Sequence, residues 1–156
     1  MPTHSETRVL PYTPEQVFDL VADVERYPEF LPWCLACRIR KRESSTSLIA
    51  DLAVGFKMVR EQFTSRVTLD PKRAITVEYL SGPFEHLRNS WTFSPAPAGT
   101  SVDFFLSFEF KSKLLQSLIG VLFEEAVKRM VAAFETRAAR LYGPSATAPP
   151  GTLQPL

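Results

Sequence analysis

Residues 113–142 contain no proline, although the chain holds 13, and their apolar side chains return at helical spacing as Ile119, Phe123, Val127, Met130, Phe134, Ala138 and Leu141. This predicts one long helix with a single apolar stripe. Glu124 with Lys128 and Glu125 with Arg129 stand at i, i+4 in the favoured order, Arg137 and Arg140 suit the negative end of the helix dipole, and Gly143 followed by Pro144 stops it. Such a stripe must lie on something, and most of what precedes it reads as strand.

Strands are predicted over 4–10, 38–43, 47–54, 58–69, 74–80, 87–93 and 101–110, with polar, proline or glycine punctuation between them. In the last of these Val102, Phe104, Leu106, Phe108 and Phe110 share one face, while Asp103, Ser107 and Glu109 lie on the other. The same alternation links Ile75, Val77 and Tyr79, and Leu87, Asn89, Trp91 and Phe93. Asn89 is the polar intruder, expected to be a hydrogen-bonded or peripheral amide. Asp51, Glu61, Glu78 and Asp103 are assigned to the solvent face. Together these elements predict an α+β fold. A curved antiparallel sheet of about seven strands wraps around the long C-terminal helix, with bulky side chains at both helix ends holding a cavity open between them.

Between the first two strands the chain turns through YTPEQVFDLVADVERYPEFLPWC. Thr13 and Gln16 form a capping box, Pro14 suits a first turn, and Val17, Phe18, Val21 and Val24 face one way in a helix over 14–24. Pro28 and Pro32 limit a second short helix. Phe30, Leu31 and Trp33 then carry more apolar surface than a solvated loop needs, which suggests a wall or a lid.

Composition narrows the function classes. A hydrophobic fraction of 45% and net charge of +1 describe a globular domain without the electrostatic footprint of a DNA-binding protein. One domain is expected over 1–143, with a disordered tail over 144–156. No run is long and apolar enough to span a membrane, and the N-terminus lacks the pattern of a signal or transit peptide, so a cytoplasmic location is expected. Cys34 and Cys37 form a lone CxxC without ligand-spaced histidines, so the expectation is structural thiols and no metal. Hydrolase, dinucleotide, phosphate-loop and zincin signatures are missing, which leaves His86 and Asn89 as the nearest acid, base or polar candidates. Arg38, Arg40, Lys41 and Arg42 form the densest basic cluster, either an exposed strand end or a surface for anionic lipid or RNA phosphate. Leu118, Val121 and Leu122 point away from the helix stripe. Three readings compete for them: burial beneath the aromatic turn of 30–33, contact with a partner, or a greasy mouth meeting a membrane. Gly120 beside them suits either a close backbone approach or local flexibility.

Three segments, VFDLVADVERYPEFLPWC, SGPFEHLRNSWTF and VKRMVAAFETRAARLYG, resemble the coenzyme Q-binding family of the START, or helix-grip, superfamily, over about residues 3–143. That family includes the ribosome association toxins, and its fold is similar to those of polyketide cyclases and lipid-transfer proteins. The resemblance implies a hydrophobic tunnel that holds ubiquinone or a related isoprenoid lipid, acting without catalysis as a chaperone or carrier for respiratory electron transport. It also implies two alternatives, a ribosome-binding protein that blocks subunit association and a cyclase-like enzyme on an apolar substrate. Stripe parity and the resemblance together give Phe18, Phe30, Trp33, Phe56, Phe84, Trp91, Ile119, Phe123 and Val127 as tunnel-lining candidates, with no catalytic residue and no catalytic cofactor. Leu118, Val121 and Leu122 are the candidates for peripheral contact with the inner face of the cytoplasmic membrane.

Overall fold

The computed structural model describes residues 3–56 and 59–143, with Phe56 described by its backbone alone. The order is β1 (Thr3–Leu10), α1 (Pro14–Ala22), a 3₁₀ helix (Val24–Glu29), β2 (Cys34–Ser44), β3 (Ser47–Phe56), β4 (Val59–Asp70), β5 (Ala74–Ser81), β6 (Phe84–Ala96), β7 (Gly99–Phe110) and α2 (Lys113–Tyr142). The strands form one antiparallel sheet in the order β1-β7-β6-β5-β4-β3-β2, so every neighbour but β1 against β7 is a sequence neighbour. The sheet curves around α2, and Phe123, Val127, Met130, Phe134 and Ala138 of the helix are buried against it. This is the α+β helix-grip arrangement expected from the sequence. The candidate tail over 144–156 lies outside the described residues.

Local chemistry sets the ends of these elements. The Thr13 and Gln16 capping box closes in both directions, at 3.1 and 3.0 Å. Helix α1 nevertheless stops at Ala22, two residues short of the predicted end, because Asp23 leaves helical geometry and a 3₁₀ turn takes over. That turn ends where Phe30 N and Leu31 N both donate to Tyr27 O. Ser112 caps α2 by accepting from Leu115 N at 3.2 Å, and Gly143 follows its last turn. Arg129 closes on Glu125 at 2.8 Å, as the i, i+4 spacing predicts.

The far end of α2 is tied to the start of the chain. Tyr12 Oη donates to Gly143 O and Tyr142 Oη to Gln16 O, each at 2.9 Å. Gly99, in the β6–β7 turn, has φ of 141° and lies so close to the chain between β1 and α1 that a Cβ there would stand 2.1 Å from Leu10 O. Only glycine suits that position. Phe18 of α1 meets Phe93 edge to face, with centroids 6.0 Å apart, closing this end of the molecule.

Candidate functional site: an apolar cavity between sheet and helix

Between the inner face of the sheet and α2 lies a cavity of about 230 Å³. Strand parity builds its walls. Val59, Phe63 and Val67 of β4, Ile75 and Val77 of β5, Leu87 and Trp91 of β6, and Phe104, Leu106 and Phe108 of β7 all face inward, and Ile119, Phe123, Val127, Met130 and Phe134 of α2 form the opposite wall. Aromatic rings fix the surface. Phe84 stacks on Phe110 at 4.6 Å and meets Phe63 edge to face at 5.3 Å, while Phe123 meets Phe108 at 5.2 Å. Trp91 packs on Phe104 and Phe134 at 4.6 and 5.1 Å.

Six of the nine tunnel candidates line this cavity: Trp33, Phe84, Trp91, Ile119, Phe123 and Val127. The side chain of Phe56 lies outside the described residues. Phe18 and Phe30 do not line the cavity. Phe18 is committed to Phe93 in the closed end. Phe30 lies on the outer side of the 3₁₀ turn, edge to face with Phe134 at 5.2 Å and beneath the Arg137 guanidinium at 5.1 Å, while Arg137 pairs with Glu29 at 2.8 Å. The turn contributes Tyr27, Leu31 and Trp33 to the cavity instead. Because it clamps on Phe134 and Arg137, it covers the C-terminal half of α2 and not the surplus apolar turn. Leu114, Leu118 and Val121 accordingly stay 72%, 48% and 85% exposed, which removes burial beneath the aromatic turn as their explanation. Leu122 is half-buried and lines the cavity. A Cβ added at Gly120 would meet nothing within 4 Å, so no close approach requires glycine there.

Polar groups in the wall are few. Asn89 faces the cavity with both ends of its amide engaged, Nδ2 donating to Phe105 O at 2.9 Å and Oδ1 accepting from Trp91 Nε1 at 3.2 Å. The expectation of a hydrogen-bonded amide holds. His86 is not in the lining; its ring nitrogen lies 3.3 Å from Ser107 Oγ, on the outer side of β7. Asp51, Glu78 and Asp103 are on the outer face as expected, bonded to Thr64, Arg66 and Thr7. Glu61 is not, because it shares parity with Val59, Phe63 and Val67 and therefore lines the cavity. Ser65, on the same face of β4, is a second lining residue that the sequence reading misses; the parity of its apolar neighbours is the signal that marks both. Burial pushes the Tyr27 phenol well above its ordinary range, and its hydroxyl donates to Val21 O.

The two thiols are also explained by register. A bulge between Cys34 and Ala36 lets Cys34 pair with Val54 and Cys37 with Leu52, so both fall on the inner face of the sheet, although neither lines the cavity. Burial pushes Cys34 up to about 11 and Cys37 up to about 12, which keeps both as unreactive thiols at neutral pH. Val54, Gly55, Val59 and Glu61, lining residues close in sequence to the β3–β4 turn, are half-buried, and so are Ile119 and Leu122 of α2. Exposed Leu118 and Val121 stand next to them on α2.

Comparison with known proteins agrees with this architecture. The chain is 41% identical over 142 residues to the ribosome association toxin RatA of Rickettsia prowazekii, covering 88% of this chain and 97% of that protein. It is 40% identical over 145 residues to the mitochondrial coenzyme Q-binding protein COQ10 homolog B of Xenopus laevis, covering 90% of this chain but 59% of that longer protein. The solution structure of an 18 kDa protein from Caulobacter crescentus, 41% identical, superposes with a TM-score of 0.76 over 92% of this chain and 99% of that one. Residues 10–135, the span that builds both walls of the cavity, match the polyketide cyclase/dehydrase and lipid transport family, and the chain belongs to that family of START-like proteins.

Proposed function

We propose that this protein is a non-enzymatic carrier or chaperone that holds ubiquinone or a related isoprenoid lipid in the cavity and exchanges it at a membrane surface, in support of respiratory electron transport. The observation that carries this reading is the cavity itself, walled by aliphatic and aromatic side chains, with exposed Leu118 and Val121 beside its lining residues Ile119 and Leu122 on α2. Each apolar group a ligand buries there contributes on the order of 1.5–3 kcal/mol, so a ring and a few branched carbons suffice for micromolar binding. The coenzyme Q-binding relative supports the choice of lipid. Against a cyclase role, the Ser65 hydroxyl has no base within hydrogen-bonding reach among the described residues, Asn89 is fully engaged and His86 faces elsewhere. The test is to purify the protein from a quinone-producing bacterium, extract it with organic solvent and identify what it carried by mass spectrometry. Stoichiometric quinone is expected; a protein that carries no lipid and takes up none would refute the reading.

The similarity to the ribosome association toxin supports a second reading, binding to a ribosomal subunit. Its surface would be β2, an edge strand on which Arg38, Arg40, Lys41 and Arg42 gather and all four are exposed. Arg38 and Arg40 share Asp51 at 3.1 and 3.0 Å, which holds their guanidinium groups in place on the outer face. Co-sedimentation with ribosomal subunits that weakens with salt, and disappears when all four cations are neutralised, is the expected result. Association indifferent to those four changes would dismiss it.

A further inference from the structure

The large apolar side chains that stay exposed are not spread evenly over the molecule. The sheet runs up and down from β2 to β7, so the start of β2, the β3–β4 and β5–β6 turns and the start of α2 all fall at one end. Five of the seven exposed large hydrophobics among the described residues, Leu35, Leu80, Leu114, Leu118 and Val121, belong to that end, and Val9 and Leu141 to the other. Three of the five form one face of a single element. At about 100° per residue, Leu114, Leu118 and Val121 point within about 60° of one another on α2, and Ile119 and Leu122 beside them line the cavity. The face is short. Glu125 follows in the same direction one turn on and pairs with Arg129, so the apolar part covers about two turns.

Charge limits what such a face meets. Lys111 and Lys113 bracket the Ser112 cap, and the first turn of α2 carries no carboxylate, although the positive end of a helix dipole favours one. Neither lysine is in an ion pair among the described residues. The carboxylates of this end lie on other elements: Glu61 lines the cavity, and Glu85 and Glu109 belong to β6 and β7. Stable protein interfaces bury about 800 Å² per partner, which three exposed side chains over two helical turns do not supply. A shallow apolar face flanked by unpaired lysines is instead what an interfacial helix presents to anionic headgroups. We infer that the first two turns of α2 are a membrane-docking face, with Leu114, Leu118 and Val121 entering the acyl boundary of an anionic bilayer and Lys111 and Lys113 held among its headgroups. No helix among the described residues is long and apolar enough to cross a bilayer, so the contact is peripheral. Docking brings a wall of the cavity, through Ile119 and Leu122, to the lipid surface. The inference rests on the carrier reading for its purpose and names the surface and the lipid charge that serve it.

The test sediments the full chain, stripped of lipid, with vesicles of phosphatidylcholine alone or with about one third phosphatidylglycerol. Wild-type protein should partition at least about tenfold more strongly onto the anionic vesicles and lose that preference in high salt. Lys111→Gln with Lys113→Gln should weaken anionic binding about 10- to 30-fold, because each lysine near such a surface contributes about fivefold, and leave the neutral partition within about twofold. Leu114→Gln with Val121→Gln should weaken binding to both vesicle types about tenfold or more. Leu141→Gln, 49% exposed at the opposite end against 48% for Leu118, should change neither. All these positions are exposed, so each variant should melt within about 3 °C of wild type. Equal binding to the two vesicle types, an equal loss with Leu141→Gln, or a stable dimer that the Leu114 and Val121 changes dissociate would each overturn the docking face. Decylubiquinone uptake in solution is measured alongside. Uptake without vesicle binding overturns the docking face alone, whereas vesicle binding without uptake leaves it standing and overturns the carrier.

Discussion

Phe123→Arg separates a ligand cavity from a dry core. The Phe123 ring is 7% exposed, rests on Phe108 at 5.2 Å, and lines the cavity one turn from Ile119 and Val127. Removing it forfeits about 1.5–3 kcal/mol of burial. In a dry core the guanidinium would add several kcal/mol of desolvation on top, enough to unfold a domain of ordinary stability. Here the replacement has cavity space to extend into, toward the half-buried part of the lining, keeping its charged head wet while the stem stays against the wall. The expected loss is therefore about 2–4 kcal/mol, or a fall in Tm of roughly 4–16 °C for a chain of this length, with cooperative unfolding retained. Ligand at a hundred times its Kd stabilises the wild-type protein by about 2.7 kcal/mol. That quinone-dependent rise of roughly 5–11 °C should vanish in the variant. Differential scanning calorimetry of stripped and quinone-loaded protein measures both quantities. A variant without a cooperative transition, or one that keeps the full quinone-dependent shift, would refute the argument.

Further expectations concern the frame around the cavity. Gly99→Ala forces a Cβ against Leu10 O at a positive φ and should cost about 3 kcal/mol or more, whereas Gly120→Ala, on an open helix surface, should gain about 0.5–1 kcal/mol; paired thermal melts decide both. Arg137→Ala removes the largely buried cation over Phe30 and should cost about 1–2 kcal/mol in urea titrations, while Glu29→Gln should cost less, because Glu29 is exposed and an amide oxygen there still accepts from Arg137. Both thiols are raised by burial, so the stability they contribute is complete below their unfolded pKa of about 8.5 and is lost as pH rises through 11 and 12. Denaturant titrations from pH 7 to 11 should show that decline, and a Cys34→Ala, Cys37→Ala double variant should reduce it, leaving the part above pH ~10 that the buried Tyr27 phenol contributes.

How legible each part is depends on whether neighbouring residues repeat the same message. Helix α2 is readable along its whole length because the stripe from Ile119 to Leu141 is uninterrupted by proline and the stop is explicit. The inner face of β7 is readable for the same reason. Strand β2 begins at Cys34, four residues before its predicted start, because the bulge after Cys34 breaks the alternation by which a strand is recognised. Phe18 and Phe30 show the limit of parity: it says that a ring turns inward, not which of two apolar regions receives it. Glu61 shows the opposite limit, since a carboxyl on an apolar parity invites reassignment to solvent although Val59, Phe63 and Val67 already fix its direction.

The same three polar side chains, Glu61, Ser65 and Asn89, explain why this fold's sequence is ambiguous about what it binds. A purely apolar wall would accept any chain-like lipid by area alone and could not tell one headgroup from another. Asn89 spends its amide on Trp91 and Phe105 and so fixes the shape of the wall, and the Ser65 hydroxyl is sealed within it, whereas Glu61 is a half-buried carboxyl of the lining. A carboxyl in an otherwise apolar wall disfavours an anionic headgroup beside it. That penalty predicts that Glu61→Gln relaxes selection against anions. Decanoate should gain about 3- to 10-fold as the like charge is removed, decylubiquinone should stay within about twofold, and decylbenzene should not change. If decanoate gains nothing, Glu61 is too well solvated to act on the ligand, and the preference for neutral lipids would have to come from desolvation in the apolar wall alone.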